Sequence, residues 1–255
     1  MHIGEIGLSA LKGARHQPRE GVVLRADGPE GDRVFAVVDP TSGQVLRTVE
    51  NPSLITVAAR WVDGVLSVEA GGRKIAAEPV LTGDYLELEY WGRPTSMEVV
   101  DGPWAGEFSR ILGRSVVLAR SAVTGGAVYG DSVTISTTSS LARLARESGV
   151  AVDARRFRST FTIDTGDADA HVEDCWAGRE IELGGARLRV NGGIPRCAVI
   201  DLDPDTGARG TTLLKTLAAY RLQGSDIMFG AYAEVIRPGT VYIGDDARVR
   251  DDSPA

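Results

Sequence analysis

Cysteine and histidine are scarce in this chain, and their scarcity closes several routes to function. The 255 residues include two cysteines, Cys175 and Cys197, and three histidines, His2, His16 and His171. Two cysteines that form no CxxC pair exclude a disulfide scaffold, and equally a four-cysteine zinc or iron–sulfur site within one chain. No histidine has a second histidine or a cysteine at metal-ligand spacing, so a zinc hydrolase has no support. Long apolar runs are also missing. None approaches the roughly 20 residues that a membrane-spanning helix requires. Met1 to Leu11 carries Glu5 early and has neither a basic start nor an extended apolar stretch, so no signal peptide is expected. These absences predict a cytoplasmic protein with both thiols reduced and no membrane partner. Positive charge is in deficit: 28 Lys and Arg against 35 Asp and Glu leave a net charge of -7, which argues against a nucleic-acid partner. GxSxG, Walker A and GxGxxG motifs are absent, as are internal repeats.

What is present suffices for a folded core. Hydrophobic residues make up 43% of the chain, with 31 Gly and 11 Pro as punctuation. The first hundred residues alternate short β-like runs (Val34–Val38, Gln44–Thr48, Leu54–Ala58, Val65–Glu69, Leu86–Tyr90) with turn signals such as Asp63-Gly64 and Gly71-Gly72. Strands at this spacing suit a barrel or sandwich. Asp101-Gly102-Pro103-Trp104 marks a change of regime. A short helix then carries Phe108, Ile111 and Leu112 inward and stops at Gly113; a second is capped at Thr138 or Ser139 and ends at Gly149. A third is expected near Thr211 to Leu222, with Leu213, Leu214, Leu217 and Tyr220 turned inward. Ile181–Leu183 and Ala186–Val190 read as a hairpin about Gly184-Gly185, and Ala198–Leu202 reads as a buried strand. Tyr232–Ile236 is expected to turn at Pro238-Gly239 and pair with Val241–Ile243, and Asp245–Ala255 to form a solvated tail.

Three groups of residues could carry chemistry. Cys197 follows Ile194-Pro195-Arg196, where the proline fixes a turn and Arg196 places a cation beside the thiol, favouring the thiolate. The alternative is a buried structural cysteine. Cys175 has Glu173 and Asp174 beside it, which oppose thiolate formation, and is read as structural and packed away. Lys12-Gly13, Gly31-Asp32-Arg33 and Arg155-Arg156-Phe157-Arg158 put cations next to glycine or a strand edge. Such cations hold phosphate or carboxylate oxygens when they converge, and are surface charges otherwise. The hydroxyl run Thr134–Ser140 either caps the second helix or offers hydrogen bonds to a ligand there.

Taken in order, FRSTFTID, EDCWAGREIELGGARLRV, PRCAVIDLDPDTG, LLKTLAAYR, FGAYAEV and PGTVYIGD, within Phe157–Asp245, resemble the MOSC family carrying an N-terminal MOSC β-barrel, in its amidoxime-reducing branch. Ala10-Leu11-Lys12-Gly13, Gly31-Asp32-Arg33-Val34-Phe35 and Asp101-Gly102-Pro103-Trp104 extend the likeness toward the N-terminus. The chain departs from the family pattern at Thr160, Ser132 and Glu50. The resemblance implies an α+β, β-barrel-rich fold with a barrel-like subdomain over residues 1–100, a MOSC domain over 101–247 and a tail over 248–255. It implies a molybdenum–molybdopterin (pyranopterin) cofactor with Cys197 as metal ligand and catalytic residue. Lys12, Arg33, Arg158 and Arg196 would bind the cofactor, with Thr137, Thr138 and Thr160 contacting it. Soft thiolate suits such a metal.

The implied activity is a molybdenum-dependent oxidoreductase reducing a small N-hydroxylated or N-oxide substrate. Its electrons would come from an external donor protein of flavoprotein or ferredoxin type. Two other readings stand beside it: a sulfur-transfer or cofactor-carrier module using Cys197 as a persulfide or thiolate, and a MOSC fold binding an anionic small molecule without molybdenum.

Overall fold

The computed structural model describes residues 1–90, 93–121 and 130–250. β-Branched and aliphatic residues in short alternating runs give a strand-rich α+β fold, the class expected from the sequence. Its main sheet has nine strands and curls into a half-barrel. In spatial order they are Gln17–Arg19, His2–Leu8, Phe161–Asp164, Val133–Thr137, Asp226–Arg237, Ala186–Pro195, Glu180–Leu183 and Ala247–Val249, with Leu222–Gln223 attached to Asp226–Arg237. Pairing is antiparallel except between Val133–Thr137 and Phe161–Asp164. The face that buries Ile3, Ile6, Val133, Ile135, Phe161, Ile163, Leu188 and Val190 holds one core cluster, closed by Trp176.

A five-stranded sheet, ordered Val80–Tyr90, Arg93–Asp101, Val117–Ser121, Phe35–Asp39 and Gln44–Val45, buries Val37 and Leu118. Trp104 and Phe108 of α1 (Trp104–Leu112) close that cluster. The remaining helices, α2 (Thr138–Ser148) and α3 (Leu213–Arg221), pack with Phe157, Ile200 and Phe229 in a separate cluster.

The three helices lie where the sequence puts them. α1 stops at Gly113 and α2 at Gly149, both in the left-handed region, although Thr137 rather than Thr138 or Ser139 caps α2. Gly149 has φ +69° and nothing within 4 Å of a modest side chain there, so Gly149→Ala isolates the conformational penalty. We expect a loss of about 1 kcal/mol, read as a shift in urea midpoint at unchanged slope; an unshifted midpoint would mean that this cap contributes nothing.

Four expectations need correction. Leu54 and Ile55 belong to a 3₁₀ turn, Pro52–Thr56, begun by the proline, and the strand starts at Ala58. Ala198–Asp201 is likewise a 3₁₀ turn, not a buried strand: Asp201 Oδ1 accepts from Leu214 N of α3 at 3.0 Å, which holds the segment coiled under that helix. Gly239–Tyr242 does not pair back onto Tyr232–Ile236. It crosses over the Gly184-Gly185 turn, where Gly185 N donates to Thr240 O at 3.0 Å, and pairs with Gly21–Arg25. In the expected tail, Ala247–Val249 forms a strand against Glu180–Leu183 with Ala247 buried; residues 251–255 lie outside the described residues.

Among the described residues no helix is long and apolar enough to cross a membrane.

Candidate functional site

The site is assembled where the segment after the first strand runs alongside Asp32–Phe35. Leu11 forms a parallel bridge with Phe35, Lys12 N donates to Phe35 O at 2.8 Å, and Phe35 N donates to Ala10 O at 3.0 Å. Ser9 clasps the next pair from both sides. Its N–H donates to Asp32 Oδ1 at 2.8 Å, and its carbonyl accepts from Arg33 N at 2.7 Å. Asp32 is 2% exposed, and Arg33 Nη1 donates to its Oδ2.

Arg158 reaches the same place from the second half of the chain. It follows the 3₁₀ turn Ala154–Phe157 with φ 55°, and its Nη2 donates to Ala14 O at 2.7 Å. Arg33 Nη2 in turn donates to Arg158 O at 3.2 Å. Both arginines are among the four described non-glycine residues with positive φ. A side chain in that region is strained by about 1–3 kcal/mol, a burden that the surrounding bonds must hold in place. The structure thus brings Lys12, Arg33 and Arg158 together although 146 positions separate the first from the last.

Arg196 lies deeper. Its backbone N–H donates to Ile227 O at 2.8 Å, its Nε to Phe229 O at 2.8 Å and its Nη1 to Phe157 O at 2.8 Å. The guanidinium sits 5.3 Å from the Phe157 ring centroid and 5.9 Å from that of Phe229, while its buried Nη2 has no partner. Gly230, at φ +76°, makes room: a Cβ there would stand 2.4 Å from Ile135 O and 3.0 Å from Arg196 Nη2. With Arg196 turned inward, Cys197 is exposed. Cys175, expected to be packed away, is exposed as well, because it sits on the outer side of the 3₁₀ turn Val172–Trp176 while Glu173 and Trp176 take the buried positions.

The electrostatics follow from this crowding. Burial first, then Arg33 and Arg158, lower the Lys12 pKa to about 7, with Asp32 and Cys197 opposing. Burial likewise lowers Arg158 to about 10, helped by Arg33, and lowers Arg196 to about 10. Lys12, Arg33 and Arg158 therefore share one buried carboxylate, Asp32, whereas the carboxylate acting on Arg196 is Glu173.

The hydroxyls are placed differently. Thr137 Oγ1 and Ser140 Oγ both donate to the Glu173 carboxylate at 2.8 Å, and Thr138 Oγ1 donates to Asp164 Oδ1 at 3.3 Å. Thr160 Oγ1 accepts from Thr134 N at 3.2 Å. Each is already engaged within the protein, and none is bonded to the cation cluster. Sequence reading missed three participants: Asp32 as the buried counter-charge to Lys12, Arg33 and Arg158, the Tyr90 ring 5.3 Å from Lys12 Nζ, and Glu173, whose pKa is raised by burial. Asp32 stood next to Arg33 in the Gly-Asp-Arg run and could have been found there. Nothing local marks Tyr90.

Two histidines are held neutral nearby. Burial, reinforced by Arg158 and Arg33, pushes His16 well below its usual value, and its Nε2 lies 2.9 Å from Ser159 O. Burial, with Arg221, pushes His171 down to about 4. An unfolded histidine takes up its proton near pH 6.5, whereas the folded one refuses it until about pH 4. The His171 contribution to stability is thus whole above about pH 6.5 and is lost as pH falls toward 4. We expect His171→Phe to flatten the stability profile across that window in urea titrations; an unchanged slope would contradict the assignment.

Comparison with known proteins places residues 123–248 on the family model described as MOSC domain. The chain is 33% identical over 103 residues to mitochondrial amidoxime-reducing component 1 of Homo sapiens, covering 37% of this chain and 29% of that protein. It is 26% identical over 247 residues to the Mus musculus protein of the same name, covering 84% of this chain and 71% of that one. It is 37% identical over 83 residues to a molybdenum cofactor sulfurase of Solanum lycopersicum, covering 32% of this chain and 10% of that protein. The matches thus span under a third of the human relative and a tenth of the tomato one.

Proposed function

The chain belongs to the MOSC family, and on that premise we propose that the cation cluster around Lys12, with Cys197, holds a molybdenum–molybdopterin cofactor and that the protein reduces small N-hydroxylated or N-oxide compounds. One observation carries the reading: Lys12, Arg33 and Arg158 meet a single buried carboxylate, Asp32, with Arg196 and the exposed Cys197 thiol beside them. Buried cations without anions are costly, so the arrangement asks for an anionic ligand. A phosphate-bearing pterin supplies the anion, and the orphaned Arg196 Nη2 is a donor that such a ligand would satisfy. The donor set fits the metal as well. Among the described residues no group of three His, Cys, Asp or Glu could hold an ion unaided, so a metal bound through Cys197 would draw its other ligands from the cofactor.

In this reading Lys12, Arg33 and Arg158 bind the anionic end, and Arg33 is held in place by Asp32. Arg196 braces the floor through Phe157 O and Phe229 O, next to Cys197. Thr137, Thr138 and Thr160 shape the wall by fixing the start of α2 and the strand beside it. Molybdenum, when bound, supplies two-electron oxygen-atom chemistry. Reduction of an N–OH group breaks the N–O bond, consumes two electrons and two protons and releases water; the electrons come from a separate donor protein. The human relative's name supports amidoximes as the substrate class.

The test is reduction of benzamidoxime to benzamidine by the full chain, loaded in a cofactor-producing host and driven by reduced methyl viologen. Turnover with viologen and none with NADH alone is expected. Molybdenum-loaded protein that leaves the amidoxime intact would contradict the reductase reading.

The exposure of Cys197 also suits a sulfur-transfer role, in line with the name of the tomato relative. Cyanide-releasable sulfur on Cys197, recovered as thiocyanate in place of amidoxime turnover, would favour that second reading.

A further inference from the structure

We propose that Lys12 sets which anions the cation cluster accepts: above neutral pH it stands mainly as a neutral amine in the ligand-free protein and becomes an ammonium when a divalent oxyanion such as a phosphate monoester enters, so that binding there takes up a proton. The inference rests on the reading of the cation cluster as an anion site and adds to it the identity of the titrating group.

The geometry singles out one residue. Arg33 is tied to Asp32 and to Arg158 O, Arg158 to Ala14 O, and Arg196 to Phe229 O and Phe157 O. Among the described residues Lys12 Nζ forms no hydrogen bond or ion pair, and the Tyr90 ring lies 5.3 Å below it. Asp32 is the one buried carboxylate there, and it is already committed to Arg33 and Ser9 N. The charged and titratable groups that act on Lys12 are Arg33, Arg158, Asp32 and Cys197.

A cluster with too many buried cations relieves itself by losing a proton, and guanidinium does not deprotonate in proteins. Lysine does so readily when buried. The Lys12 pKa near 7 has this origin, with burial as the larger cause and the two arginines next. Two negative charges arriving beside it reverse the balance. A monoanion does so far less, and Lys12 thereby discriminates by ligand charge.

Inorganic sulfate is the probe, because it stays divalent throughout the range and brings no titration of its own. Its binding to the cofactor-free full chain is followed by calorimetry in buffers of differing ionisation enthalpy. Expected uptake is about half a proton at about pH 7 and close to one at about pH 8.5, with affinity falling toward tenfold per pH unit above that midpoint. Lys12→Arg should bind sulfate with no uptake and a flat pH profile. Competitive acylation of the ligand-free protein gives an independent reading, since the chain has three lysines and Lys74 and Lys215 serve as internal standards. Lys12 should become reactive with a midpoint at about pH 7. Sulfate binding with no proton uptake in the wild type would overturn the role of Lys12 while leaving the anion site intact. No sulfate binding together with an ordinary Lys12 reactivity would overturn both. No binding with early reactivity would remove the anion reading and this proposal with it.

Discussion

Replacing Cys197 with serine is expected to lower molybdenum-dependent turnover by at least about 100-fold while the protein stays folded. The size follows from position: substitution of groups that merely orient a metal ligand costs about 10–100-fold, and loss of the ligand itself belongs at or beyond the upper end. The tolerance follows from exposure. Cys197 is exposed, makes no side-chain capping bond at the start of the Ala198–Asp201 turn, and has an extended backbone, φ -119° and ψ 178°. Serine is at home in such a position, so stability should change by no more than about 0.5 kcal/mol. Cys175→Ser is the control. Cys175 is equally exposed but belongs to the turn that packs Trp176 into the main core, and its loss should leave turnover near wild type. Full activity in the Cys197 variant would remove both the reductase and the persulfide readings.

The largest structural effect is expected from Asp32→Asn. The substitution preserves shape and leaves an acceptor for Ser9 N, but it deletes the buried negative charge that Lys12, Arg33 and Arg158 share. Removing one partner of a buried pair costs about 3–5 kcal/mol, since the other charge remains without compensation. For a chain of this length the melting temperature should fall by roughly 10 °C. An added divalent anion should restore more stability to this variant than to the wild type, because the unmet positive charge is larger. A variant as stable as the wild type, with the same response to sulfate, would show that Asp32 does not anchor the cluster.

Much of the fold could be read from the sequence, for reasons that lie in particular residues. Gly113 and Gly149 announced two helix ends because only a residue without Cβ sits easily at φ near +70°. The Gly184-Gly185 hairpin was legible for the same reason. Short apolar runs were not. Ala198–Leu202 carries no period that distinguishes strand from turn, and a hydrogen bond from α3 to Asp201 decides it. The partner of Gly239–Tyr242 depends on the path of the chain over another hairpin, which no local pattern encodes.

The site shows the same division. Cys197, Lys12, Arg33 and Arg158 were visible as residue types at turns. The ring beneath Lys12, the clasp of Ser9 on Asp32 and the committed hydroxyls of Thr137, Thr138 and Thr160 depend on contacts between segments far apart in the chain.

The central claim is that the cation cluster and Cys197 hold molybdenum through a pterin. Its most direct test is the molybdenum and pterin content of the full chain purified from a host that makes the cofactor, measured beside Cys197→Ser and Arg158→Met. The account predicts close to one molybdenum and one pterin per chain in the wild type. It predicts loss of the metal with the pterin retained in the first variant, and loss of both in the second. Wild-type protein that carries neither, while still binding sulfate, would contradict the claim and leave a MOSC fold that binds an anionic small molecule without molybdenum.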